Sequence, residues 1–172
     1  MNFINGAELL EYCEKENKKI SEAMFERETT FLEQDPEKTR AKMKKAWSIM
    51  QASAKKPLKE NIVSMGGMIG GGSRKLHTLR ENKKNLCGDV VSKAITYAVG
   101  VLEVNASMGL IVAAPTAGSS GVIPGVCCSL QENYGFTDEE ICQALFNAAA
   151  VGYLITRNAT TAGAEGGCQA EV

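Results

Sequence analysis

The spacing of apolar residues near the N-terminus constrains the fold more than any other feature of the chain. Hydrophobic side chains recur about every three or four residues, as expected for an amphipathic α-helix with one buried face. Lysines and glutamates fill the intervals between Ile4, Leu9, Leu10, Ile20, Met24, Phe25, Phe31 and Leu32. We therefore predict one amphipathic helix, straight or kinked, over residues 6–33.

Capping signals predict the other helices. Asp35-Pro36 combines an N-cap residue with proline at the first helical position, and the helix that follows is predicted to end near Lys56-Pro57. Further helices are predicted over residues 89–105, with Asp89 as the cap, and over about 121–133. The last predicted helix spans residues 138–155, after a Thr-Asp-Glu-Glu sequence that resembles a capping box.

These patterns favour an all-α fold. No run of alternating apolar and polar residues indicates a sheet, and residues 110–114 are compatible with a short buried strand or with a helix. The predicted architecture is a helical catalytic domain with glycine-rich active-site loops within residues 64–74, 105–121 and 157–168. Residues 1–172 are predicted to form a single partial domain, without internal repeats.

The charge balance argues against a nucleic-acid binder and against attachment to an anionic membrane. The 19 Lys and Arg residues nearly match the 20 Asp and Glu residues, so the chain generates no strong overall field. The N-terminus has no basic-then-apolar signal pattern, and charged residues interrupt the most apolar stretch, at residues 90–115. We therefore expect a cytoplasmic protein without a membrane span.

The six cysteines and one histidine limit the possible chemistry. With His77 as its only histidine, the chain excludes zinc sites that need two or more histidines. In a reducing compartment the cysteines are expected to be buried thiols, metal ligands or redox groups rather than disulfides.

A glycine-rich run between the first and second halves is the first candidate site. Five glycines occur within the seven residues 66–72, where they weaken helix and strand alike but let backbone N–H groups approach an anion. The run lacks the Lys-Ser/Thr pair of a P-loop, and the alternative interpretation is a flexible connector. From this segment we predict substrate contacts by Ser64, Gly66, Gly67, Gly70 and Gly71, and a catalytic role for Lys75.

A second candidate site combines short polar side chains with glycines before a predicted helix start near residue 120. Such a loop aims N–H groups at an anionic ligand such as a small carboxylate, although a double turn with hydroxyl capping explains the same pattern. The predicted substrate contacts are Asn105, Ser107, Thr116, Ala117, Gly118, Ser119 and Ser120.

The third candidate is Cys168, which follows two glycines at a predicted helix start. The helix dipole there would stabilise a thiolate, as suits a metal ligand or a nucleophile. The remaining cysteines lack such a setting and are predicted to be mainly structural: Cys13, Cys87, Cys127, Cys128 and Cys142.

Taken in order, these segments resemble a known family. They read S-M-G-G-M-I-G-G-G-S-R-K-L, N-A-S-M-G, A-P-T-A-G-S-S-G-V-I-P-G and R-N-A-T-T-A-G-A-E-G-G-C-Q-A-E-V. Together they resemble the iron–sulfur-dependent L-serine dehydratases, specifically the α chain of the two-chain bacterial type. The resemblance extends from about residue 60 to the end of the sequence.

The resemblance implies a lyase that converts L-serine to pyruvate and ammonia. It implies a 4Fe–4S cluster held by three cysteines, whose open iron acts as a Lewis acid on the serine hydroxyl while a base removes the α-proton. Cys168 is implied to be the first cluster ligand. Backbone N–H groups and hydroxyls would receive the substrate carboxylate, Asn105 or Thr116 would hold the amino group, and Lys75 would orient the carboxylate or carry a proton.

Two further expectations concern completeness and partners. The sequence ends four residues after Cys168, before the other two implied ligands, so we interpret it as a truncated piece that is expected to be inactive alone and to lack the cluster. The family's α chain works with a separate β chain, and a homo-oligomer is also compatible with the sequence.

Two other functions fit parts of the sequence. A pyridoxal-phosphate dehydratase would use Lys75 as its Schiff-base lysine and residues 116–121 as its phosphate cradle, and it predicts borohydride-fixable pyridoxal on that lysine. A non-enzymatic helical module would dock an acidic partner through the basic first half, residues 1–86, where 17 Lys and Arg outnumber 12 Asp and Glu. Salt-sensitive association would support such docking.

Overall fold

The described part of the chain is helical throughout. A computed structural model describes residues 2–84, 86–159 and 165–166. Within these ranges it contains seven α-helices and no strand, only an isolated bridge between Val63 and Gly70. The helices are α1 (Gly6–Lys15), α2 (Ile20–Glu26), α3 (Pro36–Lys59), α4 (Gly72–Glu81), α5 (Gly88–Ala106), α6 (Val122–Tyr134) and α7 (Asp138–Asn158). The all-α prediction is confirmed.

The prediction of one helix over residues 6–33 is wrong. Helix α1 ends at Lys15, Asn17 adopts a positive φ of 51°, and α2 begins after Lys19. Glu22 reinforces the new start, because its side chain accepts a hydrogen bond from the Lys19 N–H at 2.7 Å. The same apolar period continues across the break, and a π-helical turn, Arg27–Phe31, extends α2.

The other predicted helices are present with shifted ends. The caps at Asp35 and Thr137 are confirmed, since each side chain accepts a backbone N–H three residues on. Helix α3 continues through Pro57 for two residues, although proline has no N–H to donate to the carbonyl of Ser53. Asp89 is not the cap of α5, which begins one residue earlier; its carboxylate instead pairs with Arg80 and Lys93 at 3.5 and 3.9 Å.

Helix α5 is the centre of the fold. Its glycine and alanine positions let neighbouring backbones approach closely. A Cβ at Gly100 would lie 2.7 Å from the Ala54 carbonyl oxygen of α3, and one at Gly125 of α6 would lie 2.6 Å from the Ala94 carbonyl oxygen. Helix α4 also packs on α5. The C-terminal end of α5 is therefore held on several sides by neighbouring helices.

A partly exposed ionic cluster around the buried Tyr97 links α3, α5 and α6. The Tyr97 hydroxyl donates to the Glu132 carboxylate, whose oxygens lie 2.8 and 2.9 Å away. Lys55 and Lys93 approach the same carboxylate at 2.9 and 3.5 Å. Burial tends to raise the pKa of Glu132, but the hydrogen bonds from Lys55 and Tyr97 outweigh it and hold that pKa below its ordinary value of 4.5.

This cluster gives a pH-dependent stability prediction. A carboxyl whose folded-state pKa is depressed stabilises the fold above its unfolded-state pKa, and this contribution is lost as the pH falls through the folded-state pKa. Glu132→Gln should therefore lower the free energy of unfolding near neutral pH. The stability difference from wild type should shrink as the pH falls below 4.5, the ordinary pKa of a glutamate. Urea unfolding at a series of pH values measures it.

Glu139→Gln is the matched control, because Glu139 is exposed and, among the described residues, forms an ion pair with the exposed Lys44 alone, at 3.2 Å. Its effect on stability should be within about 0.5 kcal/mol at every pH. A stability gap for Glu132→Gln that stays constant across the acidic range would contradict the role assigned to its charge.

Candidate functional site at the C-terminal end of α5

The first half of the glycine-rich run forms a closed turn. The Ser64 N–H donates to the Ile69 carbonyl at 2.7 Å, and the Ser64 hydroxyl accepts the Ile69 N–H at 3.0 Å. At the tip, Met65 and Met68 are 84% and 91% exposed. The Ser64 hydroxyl therefore closes the turn and places two apolar side chains in solvent.

Different structural constraints explain the individual glycines of this turn. Gly71 has a φ of 75° immediately before α4, where an L side chain is strained. A Cβ at Gly70 would lie 2.4 Å from the Ile62 carbonyl oxygen, whereas Gly66 has neither a positive φ nor a heavy atom within 4 Å of that position. Nothing in the described structure explains the glycine at position 66.

The start of α4 is capped by a side chain from another helix. Glu103 of α5 accepts the N–H groups of Gly72 and Ser73 on its Oε1, at 2.5 and 3.2 Å. Glu103 is only 2% exposed. Sequence reasoning missed this residue, whose signal was a lone carboxylate within an apolar helical stretch. These two N–H groups are thus bonded to a protein carboxylate.

Helix α4 itself was not predicted, and it places Lys75 in its first turn. The Lys75 side chain is exposed, and its ammonium forms no ion pair with any residue in the described ranges. His77, two residues further on, is half-buried, and its Nδ1 lies 3.2 Å from a guanidinium nitrogen of Arg80. These contacts do not test the catalytic role predicted for Lys75, which stays a prediction.

The N-A-S-M-G motif ends α5. The Ser107 hydroxyl donates to the Val104 carbonyl at 2.9 Å, and Met108 adopts a positive φ of 61°. The Gly109 N–H then donates to the same carbonyl at 2.8 Å. The Asn105 side chain leaves this turn in another direction and donates to the Ala117 carbonyl at 3.0 Å. Asn105 therefore attaches the second candidate loop to α5.

The serines of that second loop hold its own backbone. Ser119 and Ser120 are buried; the Ser119 hydroxyl lies 3.0 Å from the Ala114 carbonyl, and the Ser120 hydroxyl donates to the Ala117 carbonyl at 2.7 Å. Ser119 Oγ also accepts the Thr116 N–H at 3.2 Å. Ala117 is exposed and Gly118 half-buried, so the backbone between Thr116 and Ser119 forms the accessible part of the loop.

Both candidate loops are therefore anchored on the same turn of one helix. Glu103 holds the end of the glycine-rich run, and Asn105 holds the loop that leads into α6. Glu103 and Asn105 are two residues apart, which is about 3 Å along the axis of α5 and about 200° around it, so the two anchors lie at one level but on opposite faces of the helix. We define this C-terminal turn of α5, with the two loops attached to it, as the candidate site.

The described cysteines do not form a metal centre. No group of three His, Cys, Asp or Glu side chains suited to a metal ion occurs in the ranges that the structure describes. Burial raises the pKa of Cys127 to about 11 and that of Cys128 to about 12, which disfavours their thiolates. Cys13 and Cys142 are buried as well, while Cys87 is exposed beside α5, contrary to the structural role predicted for it. The predicted ligand Cys168 lies outside the described residues.

Helical architecture and two anchored polar loops define an all-α protein with a candidate small-ligand site, and comparisons with known proteins identify its family. The family model of the serine dehydratase alpha chain matches residues 15–172. The chain belongs to this family.

Individual relatives agree with this assignment. The chain is 39% identical over 170 residues to the probable L-serine dehydratase, alpha chain, of Bacillus subtilis (strain 168), covering 99% of this chain and 56% of the relative. It is 38% identical over 164 residues to the L-serine dehydratase, alpha chain, of Peptoniphilus asaccharolyticus, covering 95% and 56%. With the L-serine dehydratase of Streptomyces coelicolor it shares 32% identity over 175 residues, or 99% of this chain and 37% of the relative. The chain thus spans 56% of the length of the first two relatives and 37% of the length of the third.

Among the described helices, none combines the length and the apolar character needed to cross a bilayer.

Proposed function

We propose that this chain supplies the substrate-binding part of an L-serine ammonia-lyase, which converts L-serine to pyruvate and ammonia. The observation that carries the proposal is the anchoring of both candidate loops, by Glu103 and Asn105, on one turn of α5. Two segments that are far apart in the sequence are thereby attached to the same end of one helix. The printed names of the relatives supply the substrate, L-serine.

The second loop is the proposed carboxylate site. Its backbone at the exposed Ala117 and the half-buried Gly118 precedes α6, whose N-terminal end carries a partial positive charge. A small carboxylate bound there would accept backbone N–H groups, while the buried hydroxyls of Ser119 and Ser120 keep the loop in shape. Lys75, exposed on α4, is the proposed proton carrier or carboxylate-orienting group.

We further propose that Cys168 supplies one ligand of a 4Fe–4S cluster. Among the described residues, no group of three His, Cys, Asp or Glu side chains could hold such a cluster, and burial raises the pKa of the adjacent Cys127 and Cys128 thiols to about 11 and about 12. The other ligands must therefore come from outside the described residues. The cluster, when present, supplies a Lewis acid for the substrate hydroxyl. A β chain is the proposed partner, and this chain alone is expected to be inactive.

Titration of the isotopically labelled chain with L-serine tests substrate binding. Amide resonances of residues 66–71 and 117–120 should shift in saturable fashion, because both loops line the candidate site. D-serine is the matched control, since it has the same groups with the opposite arrangement. Shifts that are absent, or that D-serine reproduces at equal concentration, would contradict the proposal.

The cofactor proposal has its own measurement. A cubane cluster contains about four iron atoms. After anaerobic reconstitution with iron and sulfide, the chain alone should hold far fewer iron atoms per chain than this. Iron and acid-labile sulfide near that ratio would show that the chain holds a cluster without further ligands, against the expectation. Pyruvate formation by the chain alone would refute its predicted inactivity.

A further inference from the structure

Helix α5 is apolar on nearly every side. Of its 19 residues only Asp89, Lys93 and Glu103 carry a charge, and each is engaged with a neighbouring helix. Asp89 and Lys93 form ion pairs with α4 and α6, and Glu103 caps the start of α4. A helix that is apolar all round is normally buried on every face. Helices α3, α4 and α6 cover three sides of α5, which leaves one side without a neighbour in the described part of the chain.

This fourth side of α5 is an exposed aliphatic stripe. Val91, Ile95 and Leu102 are all exposed, and their spacing places them on one helical face. The stripe lies between the face that contacts α4 and the face that contacts α6. Single exposed apolar side chains are ordinary on a protein surface, but a continuous apolar patch marks an interaction surface.

Helix α6 extends the stripe into a groove of about 390 Å³. Val122 and Val126 of α6 line this α5–α6 groove together with Ile95 of α5. Among the described residues that line it, the one polar side chain is Ser129, which is buried and donates its hydroxyl to the Val90 carbonyl at 2.6 Å. The groove therefore presents aliphatic side chains, and an occupant that matches it is apolar as well.

The shape of the groove favours a helix as its occupant. A groove between two helices accepts the side-chain ridge of a third helix. A second copy of this chain would present the same concave groove, and two grooves that face each other leave a gap between them. The relatives carry another source of helices, since the match covers 56% of the Bacillus subtilis chain and 56% of the Peptoniphilus chain. The rest of each relative has no counterpart in the matched residues.

We propose that the α5–α6 groove docks an apolar helix from the part of the serine dehydratase alpha chain that lies outside the matched residues. This inference rests on family membership and not on the proposed reaction. With that helix in place, α5 is enclosed on all four sides, as its apolar sequence requires.

The docked helix would also border the second candidate loop. Val122 is the first residue of α6 and follows that loop directly. Leu102 lies about one turn before Asn105, whose side chain holds the loop through the Ala117 carbonyl. The exposed stripe therefore reaches the loop at one end. A segment docked along it would cover the loop on that side and exclude water from it.

Methyl labelling of the isoleucines measures whether the groove is covered. The isolated chain is compared with a hybrid in which it replaces the matched residues of the Bacillus subtilis relative, and a soluble paramagnetic agent broadens the signals of exposed methyl groups. In the isolated chain, Ile95 is 43% exposed and should broaden like Ile4, which is 47% exposed. In the hybrid, Ile95 should become as protected as Ile141, which is 4% exposed, while Ile4 stays accessible.

Ile95→Glu connects this protection with docking. The glutamate should lower the thermal midpoint of the hybrid by at least ~5 °C more than that of the isolated chain, because only the hybrid would bury the charge. Leu10→Glu is the matched control, since Leu10 is an exposed aliphatic residue of α1 and does not line the groove. It should lower both midpoints to the same extent.

An Ile95 methyl that stays exposed in the folded hybrid overturns the inference. So does an isolated chain that dimerises in sedimentation and protects Ile95 as its concentration rises, because the occupant is then a second copy. Ile141 reports whether the hybrid is folded. If Ile141 is exposed there, this chain and the unmatched segment are co-expressed as two chains, and an Ile95 that remains exposed in that preparation overturns the inference. No measurement here uses L-serine, so the titration above decides the proposed function separately.

Discussion

Replacing Gly125 by alanine should lower the free energy of unfolding by about 2 kcal/mol, although alanine is the better helix former. The new Cβ would lie 2.6 Å from the Ala94 carbonyl oxygen and 2.9 Å from both the backbone nitrogen and the Cβ of Ala98. These atoms belong to the interior of α5 and cannot rotate away, so α6 must move as a unit. Urea unfolding followed by fluorescence of the single tryptophan, Trp47, measures the change.

Gly152→Ala is the matched control for this prediction. Gly152 also lies inside a helix, α7, but no heavy atom lies within 4 Å of its Cβ position. Alanine there should raise the free energy of unfolding by about 0.5–1 kcal/mol, through helix propensity alone. If both variants were stabilised alike, the α5–α6 crossing would not be as close as described.

This crossing also bears on the candidate site. The second loop ends where α6 begins, and a Cβ at Gly121 would lie only 2.4 Å from the Ala98 carbonyl oxygen. The glycines at 121 and 125 thus fix the approach of α6 to α5 and, with it, the position of the loop that Asn105 holds. Their role is packing, although the sequence places them in the same motif as the predicted substrate contacts.

The fold was largely predictable because its determinants are local. The apolar period and the caps at Asp35 and Thr137 act within a few residues, and they locate α3 and α7 correctly at their starts. The break between α1 and α2 was missed because the apolar period continues across it. Its one local signal was Asn17, a residue type that tolerates positive φ.

Helix α4 was missed for a different reason. It begins at a glycine, which is a poor helix former, and its cap comes from Glu103, 31 residues further along the chain. No local pattern reveals such a cap. The candidate loops were predictable from their glycines and hydroxyls, but their joint attachment to α5 depends on tertiary contacts. Whether the predicted residues bind substrate stays a prediction.

The second large effect is expected at Trp47, whose side chain is 2% exposed within the main core cluster. Trp47→Ala should lower the free energy of unfolding by about 3–5 kcal/mol, since it leaves a cavity and removes the hydrogen bond from Nε1 to Asp138 at 2.8 Å. Trp47→Phe keeps most of the volume and should cost about 1–2 kcal/mol. Thermal unfolding followed by circular dichroism measures both, because neither variant retains the fluorophore.

The two tryptophan variants also test how the candidate site is supported. Trp47 shares its core cluster with Val101, half a turn before Glu103 on α5. If α5 moves as a rigid element, amide exchange at Gly72 and Ser73 should be faster in Trp47→Ala than in wild type. The increase in exchange rate should not exceed the amount that the loss in free energy of global unfolding accounts for. Acceleration beyond that limit would mean that core packing directly holds the Glu103 cap in place. In that case the cap at α4 would depend on α3 as well as on α5, and the glycine-rich run would not be an independent unit.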